Sequence, residues 1–291
     1  MMEQNKNIFN NIEGITNSKI ISTSSLSGGC ISNAYKITLQ DKKNLFLKIN
    51  SSHPKDMFHK EANGLNELAK PNVIKIPKVI AVNDTFILLE FVGNGIKQKD
   101  FFENFGRSFA EMHKFTLETF GFYEDNYIGS TPQINIPNEK EKIDWTAFYF
   151  SKRILFQFNL AENNGFATDE LRKGISFLES NIENILKGSE ELPSLLHGDL
   201  WSGNYMVNEK GKASLIDPAV YYGHREADLA MTKLFGGFSE SFYKSYNESF
   251  PLKDGCNYRE NIYKLYHVLN HLNLFGSGYY SQAVSLIKSY Y

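Results

Sequence analysis

Cysteine is nearly absent from this chain, with two residues, Cys30 and Cys256, in 291. Two thiols supply neither a disulfide framework nor a cysteine metal cluster, which fits a reducing, cytoplasmic setting. An excess of charge is missing too. The formal net charge is −2, with 31 Lys and Arg against 33 Asp and Glu, so there is no basic footprint for nucleic acid. The most hydrophobic window, Phe86 to Val92, contains Glu90 and is far too short to span a bilayer. The opening residues Met1 to Lys6 are polar and lack the apolar core of a signal peptide. Repeats and low-complexity segments are also lacking. What remains is an ordinary soluble composition, 42% hydrophobic and 22% charged, long enough for two subdomains or one large one. Aromatic residues make up 14%, mostly for core packing, although rings exposed in a cleft would stack on sugars or bases.

One stretch carries chemistry. Leu195-Leu196-His197-Gly198-Asp199-Leu200-Trp201-Ser202-Gly203-Asn204 leads from an apolar run into a polar loop. A hairpin from Tyr205 to Ile216 then ends in a second acid, Asp217. Phosphoryl transfer from ATP needs a carboxylate to take the proton of the attacking hydroxyl. It also needs an amide oxygen and another carboxylate to hold Mg²⁺ on the phosphates. A lone acid and amide five apart would be an ordinary turn signal. The ensemble of His, Asp, Asn, hairpin and strand-end acid points to the active centre of a small-molecule kinase.

Upstream, Lys19 to Leu26, Ile31 to Leu39 and Leu45 to Ile49 read as strands, with Gly28-Gly29 breaking the first from the second. Glycines there would let backbone N–H groups approach phosphate, although the full G-x-G-x-x-G spacing is missing. A helix follows over about Pro54 to Lys70, with Phe58, Leu65 and Leu68 on one face and Glu61 on that same face. A carboxylate on a packed face needs a cation. Lys48, the single charge of its strand, is the candidate, and such a pair would set the lysine on the α- and β-phosphates. Val79 to Val82 and Phe86 to Val92 form a hairpin running out into Gly93-Asn94-Gly95. The backbone of Glu90, Phe91 and Val92 is placed to meet an adenine edge. From Lys97 on, the pattern is mainly helical: Asp144 to Asn164, Thr168 to Lys187, Arg225 to Leu234, Ser239 to Phe250, Tyr258 to Leu274 and Tyr280 to Tyr290. Phe120 to Gln133 reads as a long irregular loop. His113 reads as a packed histidine.

These residues resemble the fructosamine kinase (ketosamine 3-kinase) family of the protein-kinase-like superfamily, over nearly the whole chain. The carriers are Gly28 to Ser32, Lys48, Glu61, Phe120-Gly121-Phe122 with Asp125-Asn126, Ile128 to Gln133, His197 to Asn204, Ile216 to Ala219 and Gly223 to Met231. The resemblance implies an α+β bilobal fold: a small antiparallel sheet lobe with one helix over residues 1–92, and a larger, mainly helical lobe over 93–291. It implies ATP-dependent phosphorylation of a ketosamine 3-hydroxyl, and through it deglycation of amines or lysines. By motif, Asp199 would be the base, Asn204 and Asp217 the Mg²⁺ ligands, and Lys48 with Glu61 the phosphate contact. Trp201 and His197 would face the sugar, and Asp228 would buttress the loop. Cys30 stands where relatives carry a redox-sensitive cysteine, so the chain would be a monomer or a Cys30-linked homodimer.

Gly198 in place of the usual arginine, Pro218-Ala219 in place of Phe-Gly, and only ten residues between Asp217 and Asp228 disfavour a protein kinase. Two alternatives stay open. One is a phosphotransferase of the aminoglycoside or choline type, and the other is a non-catalytic nucleotide-binding regulator.

Overall fold

The computed structural model describes residues 2–26, 33–50, 54–93 and 95–291, the first five of these as backbone only. Gly28, Gly29 and Cys30, expected over the nucleotide or in a redox switch, lie outside the described residues.

The first lobe is a five-stranded antiparallel sheet in the order β1-β2-β3-β5-β4. Its strands are β1 (Ile20–Leu26), β2 (Asn33–Leu39), β3 (Asn44–Ile49), β4 (Val79–Val82) and β5 (Phe86–Glu90). Alternation along each strand divides the side chains between two faces. Ile37, Leu39, Leu45, Leu47, Phe86 and Leu88 pack beneath Ile8 and Ile12 of a helix, α1 (Met2–Thr16). Ile87 and Leu89 face the other way, toward Phe58, Ala62, Leu65 and Leu68 of α2 (Met57–Leu68). Covered on both sides, β5 reads as an unbroken apolar run rather than an alternating one. Among the described residues the lobe carries two helices, where the sequence leads to the expectation of one.

The second lobe is mainly helical. Helix α3 (Phe101–His113) turns Phe105, Phe109 and Met112 inward. Phe105 and Phe109 meet Phe242 of α8 (Glu240–Ser249) at ring separations of 5.2 and 5.8 Å, and each buried ring contributes about 2–3 kcal/mol. The expected irregular loop contains a short hairpin, β6 (Asn126–Ile128) and β7 (Thr131–Gln133). The expected single helix over 144–164 is α4 (Trp145–Tyr149), a π-helical turn over Phe150–Leu155, and α5 (Phe156–Asn163). Asp144 caps α4 through the Ala147 N–H. The π turn brings the buried Arg153 inward, where Nη1 donates to Ile134 O (2.6 Å) and the guanidinium lies over Tyr221. Helix α6 (Asp169–Leu186) starts at an N-cap on Thr168. Two short strand pairs build the centre: β8 (Ser194–Leu196) pairs with β11 (Tyr221–Gly223), and β9 (Tyr205–Val207) with β10 (Ala213–Leu215). Helices α7 (Glu226–Leu234), α9 (Cys256–Phe275) and α10 (Tyr280–Lys288) close the lobe.

Among the described residues no helix is long and apolar enough to cross a membrane.

Candidate active site

The loop that follows β8 is clamped from behind. Asp228, at the start of α7, accepts the backbone N–H of His197 (2.6 Å) and of Gly198 (2.8 Å). Burial alone would raise its pKa. The hydrogen bond and charge of His113, with His197 and the Gly198 N–H, outweigh burial and hold the carboxyl below its ordinary value. Gly198 has φ +81°, and a Cβ there would stand 1.9 Å from Ala219 O, so no other residue fits. That explains the glycine where protein kinases carry arginine.

His197 is fully buried and does not face the cleft, which corrects the expectation that it contacts substrate. Its Nε2–H donates to Ile216 O (2.9 Å) and its Nδ1 accepts the Asp199 N–H (3.3 Å). Burial lowers its pKa and keeps the ring neutral. The ring is a strut between the catalytic loop and the segment carrying Asp217.

Asp199 is half-buried. Asn204 Nδ2 donates both to Asp199 O (2.7 Å) and to Asp199 Oδ2 (3.2 Å). A backbone carbonyl only accepts, so the Asn204 amide is fixed with Oδ1 turned away from Asp199. The Ile216 N–H donates to Asn204 O (3.1 Å), tying this loop to the end of the β9–β10 hairpin. Burial first, and then the Asp217 charge, raise the Asp199 carboxyl well above its ordinary value.

Across the cleft, Lys48 Nζ reaches Glu61 Oε1 of α2 (2.7 Å) and also pairs with Asp217 Oδ1. Burial disfavours the ammonium, but Asp217 and Glu61 together raise its pKa above the ordinary lysine value. Asp217 has φ +54°, a left-handed conformation that Asp tolerates better than most residues and that turns its side chain into the cleft. Asn204 Oδ1 and Asp217 make an oxygen-only donor pair, suited to a hard divalent ion completed by phosphate and water. Among the described residues no cluster of three His, Cys, Asp or Glu forms a metal site by itself.

These groups line one cleft of about 800 Å³. Glu90, Phe91 and Val92 lie along its edge. The Glu90 N–H is taken by Lys78 O (2.9 Å), so that residue has only its carbonyl left for an adenine edge. Its carboxylate is engaged by Lys75 (2.5 Å), outside the cleft's chemistry. At the far end stand Trp201, Phe235, His271, Phe275 and Tyr279. Trp201 is 37% exposed, and its ring lies over Gly203, where a Cβ would collide at 2.5 Å. Trp201 meets Phe235 at 5.9 Å, and Phe235 meets His271 at 5.0 Å, forming an aromatic wall.

The Phe235, Asn270, His271, Phe275 and Tyr279 side of this cleft was not legible from sequence. Helical spacing alone does not say which face of α9 borders a cleft. Gln133 lies behind the site, buried, with Nε2 donating to Ala219 O (2.9 Å) and to Asn126 Oδ1 (2.8 Å). It braces the segment after Asp217 rather than lining the cleft.

The fructosamine kinase family model matches residues 1–291. The chain is similar to a chloroplastic protein-ribulosamine 3-kinase of Oryza sativa subsp. japonica, 41% identical over 281 residues that cover 94% of this chain and 79% of that one. It is also similar to a crystal structure of a candidate fructosamine-3-kinase from Thermobifida fusca, with 30% identity, TM-score 0.88 and 97% of each chain covered. A macrolide 2′-phosphotransferase type I superposes with TM-score 0.61 at 10% identity over 99% of this chain and 97% of that one, which speaks for the fold alone.

Proposed function

This chain belongs to the fructosamine kinase family, and from that premise we propose that it transfers the γ-phosphoryl group of ATP to the 3-hydroxyl of a ketosamine, the Amadori adduct of a sugar on an amine or protein lysine. In this reading Asp199 takes the proton of the attacking hydroxyl; its raised pKa makes it a better acceptor than an ordinary aspartate. Lys48, held by Glu61, contacts the nucleotide phosphates, and Glu90 O with the Val92 backbone meets the adenine edge. Asn204 Oδ1 and Asp217 would hold Mg²⁺, which when bound neutralises charge on the phosphates. Asp217 would then exchange part of its contact with Lys48 for the ion. Trp201 offers its ring to the apolar face of the sugar.

The observation that carries the substrate class is the distribution of acids in the cleft. Its lining carboxylates are Glu61, Glu90, Asp199 and Asp217; Glu61, Glu90 and Asp217 are already ion-paired, and Asp199 and Asp217 stand at the reacting end. The wall beyond Trp201 is aromatic and uncharged, which favours the uncharged polyol part of a ketosamine over a polycationic aminoglycoside or the quaternary ammonium of choline. Two cysteines in the whole chain suit work in a reducing cytoplasm.

The test is ATP consumption with Mg²⁺ against a panel of ribulosamine, erythrulosamine, fructosamine, choline and kanamycin. The proposal expects turnover with a ketosamine and none with choline or kanamycin. Preferential turnover of kanamycin or choline would replace it with the antibiotic or amino-alcohol reading. ATP binding without any turnover would favour a nucleotide-binding regulator.

A further inference from the structure

The cleft wall holds one polar group whose direction is dictated from behind. Asn270, on α9, is only 2% exposed yet borders the cleft. Behind it, Asn273 Nδ2 donates to the backbone carbonyl of Gln157 (2.9 Å). A carbonyl has no hydrogen to give, so that nitrogen cannot be interchanged with the amide oxygen. The same Nδ2 donates to Gln157 Oε1 (2.9 Å). Gln157 must therefore present Nε2 to Asn270, and it does, donating to Asn270 Oδ1 (3.2 Å). With Oδ1 engaged by Gln157, the Asn270 Nδ2 is left on the cleft side. Among the described residues it has no acceptor.

The position is on the acceptor side of the site. Asn270 lines the same cleft as Asp199 and Trp201, and His271, the next residue, is ringed by Phe235, Phe275 and Tyr279. His271 is itself pinned, with Nδ1–H donating to His267 O (2.7 Å). An amide N–H that opens only to the cleft is a donor free to meet a ligand oxygen there. We propose that Asn270 is a specificity-determining donor that grips one oxygen of the sugar, and that Gln157 and Asn273 form a polarity relay fixing which end of its amide the substrate meets. The proposal rests on the ketosamine reading and deepens it, because it supplies a directed polar contact on an otherwise aromatic wall. An acceptor lacking the gripped oxygen leaves Nδ2 unpaired in the complex, and it is rejected for that reason rather than for size.

Kinetics with a ketosamine and its monodeoxy analogues, on wild type and Asn270→Leu, test this. In wild type, one analogue should lose at least fivefold in kcat/KM against the parent. Asn270→Leu should raise the parent's KM at least fivefold, leave the KM for ATP within twofold, and treat parent and that analogue alike. A parent KM within twofold of wild type, or a persisting penalty for the analogue, overturns the assignment. If Asn270→Leu fails to fold, as judged by loss of the ATP-induced thermal shift, Gln157→Met carries the test. It keeps Asn270 but frees its amide to turn, and should give a smaller rise in the ketosamine KM alone. An unchanged KM in Gln157→Met overturns the relay. A wild-type protein that phosphorylates no ketosamine brings down the functional reading, and this assignment with it.

Discussion

Lys48 and Asp217, 169 residues apart in sequence, form an ion pair across the cleft, and the same ammonium is held by Glu61 at 2.7 Å. One cation thus joins the sheet, helix α2 and the end of the β9–β10 hairpin. Lys48→Met would leave Glu61 buried without its partner. We expect a stability loss of about 3 kcal/mol, with part of it restored by adding Glu61→Gln, which removes the stranded charge. Turnover should fall about 100-fold or more, with a raised KM for ATP. Urea denaturation of the single and double variants measures the first, and steady-state kinetics the second. Equal stability of Lys48→Met and wild type would show that the pair is not structural.

The turn at Gly198 should be intolerant of change. Gly198→Ala meets Ala219 O and a positive φ, for a combined cost of about 3 kcal/mol. Asp228→Asn turns one of two accepting oxygens into a donor facing a backbone N–H, and about 3 kcal/mol should be lost there as well. A chain of this size would lose ~5–10 °C in Tm for each, read by calorimetry. An Asp228→Asn variant with wild-type Tm would contradict the clamp.

Acid should destabilise the fold well above the range of carboxylate titration. Burial lowers the pKa of His113, His197 and His224, and brings that of His267 down to about 3. A histidine with a depressed folded pKa takes up its proton in the unfolded chain first. Stability is therefore complete above about pH 6.5 and falls as pH drops below it. His267 alone should account for ~2 kcal/mol between pH 7.5 and pH 5. Denaturant midpoints at the two pH values measure this, and His267→Gln should flatten the slope. Equal slopes in wild type and His267→Gln would remove His267 as its source.

Trp201→Ala should raise the KM for ketosamine about tenfold or more while leaving ATP binding unchanged, because its ring stands on the aromatic wall of the cleft that we propose receives the sugar. Trp201→Phe should recover part of the loss. A selective effect on the KM for ATP would place the ring with the nucleotide instead.

The parts of the fold legible in sequence were those whose signal is local. The strands around Lys48, the apolar face of α2 and the N-cap of α6 at Thr168 each follow from neighbours within a turn or a strand. The Lys48–Glu61 pair was legible because a lone charge on an apolar strand and a lone acid on an apolar helix face each lack a local partner. What was missed depends on distant partners. Helix α1 has a thin stripe, Ile8 and Ile12, that acquires meaning only against the back of the sheet. Strands β8 and β11 are three residues each and pair across the catalytic loop, too short for alternation to register. The π turn that interrupts 144–164 is shaped by Arg153 reaching Ile134 and Tyr221, which no helical pattern encodes. His197 was read as a substrate contact because its motif position places it beside Asp199; its burial follows from the approach of Ile216, 19 residues on.

The most direct measurement is phosphoryl transfer from ATP to a ketosamine by Asp199→Asn beside wild type, with nucleotide affinity followed in parallel. The substitution keeps the shape of the side chain and removes the proton acceptor. A loss of roughly 1,000-fold or more in kcat with ATP affinity within about threefold is the expected result. Undiminished turnover in Asp199→Asn would contradict the account at its centre.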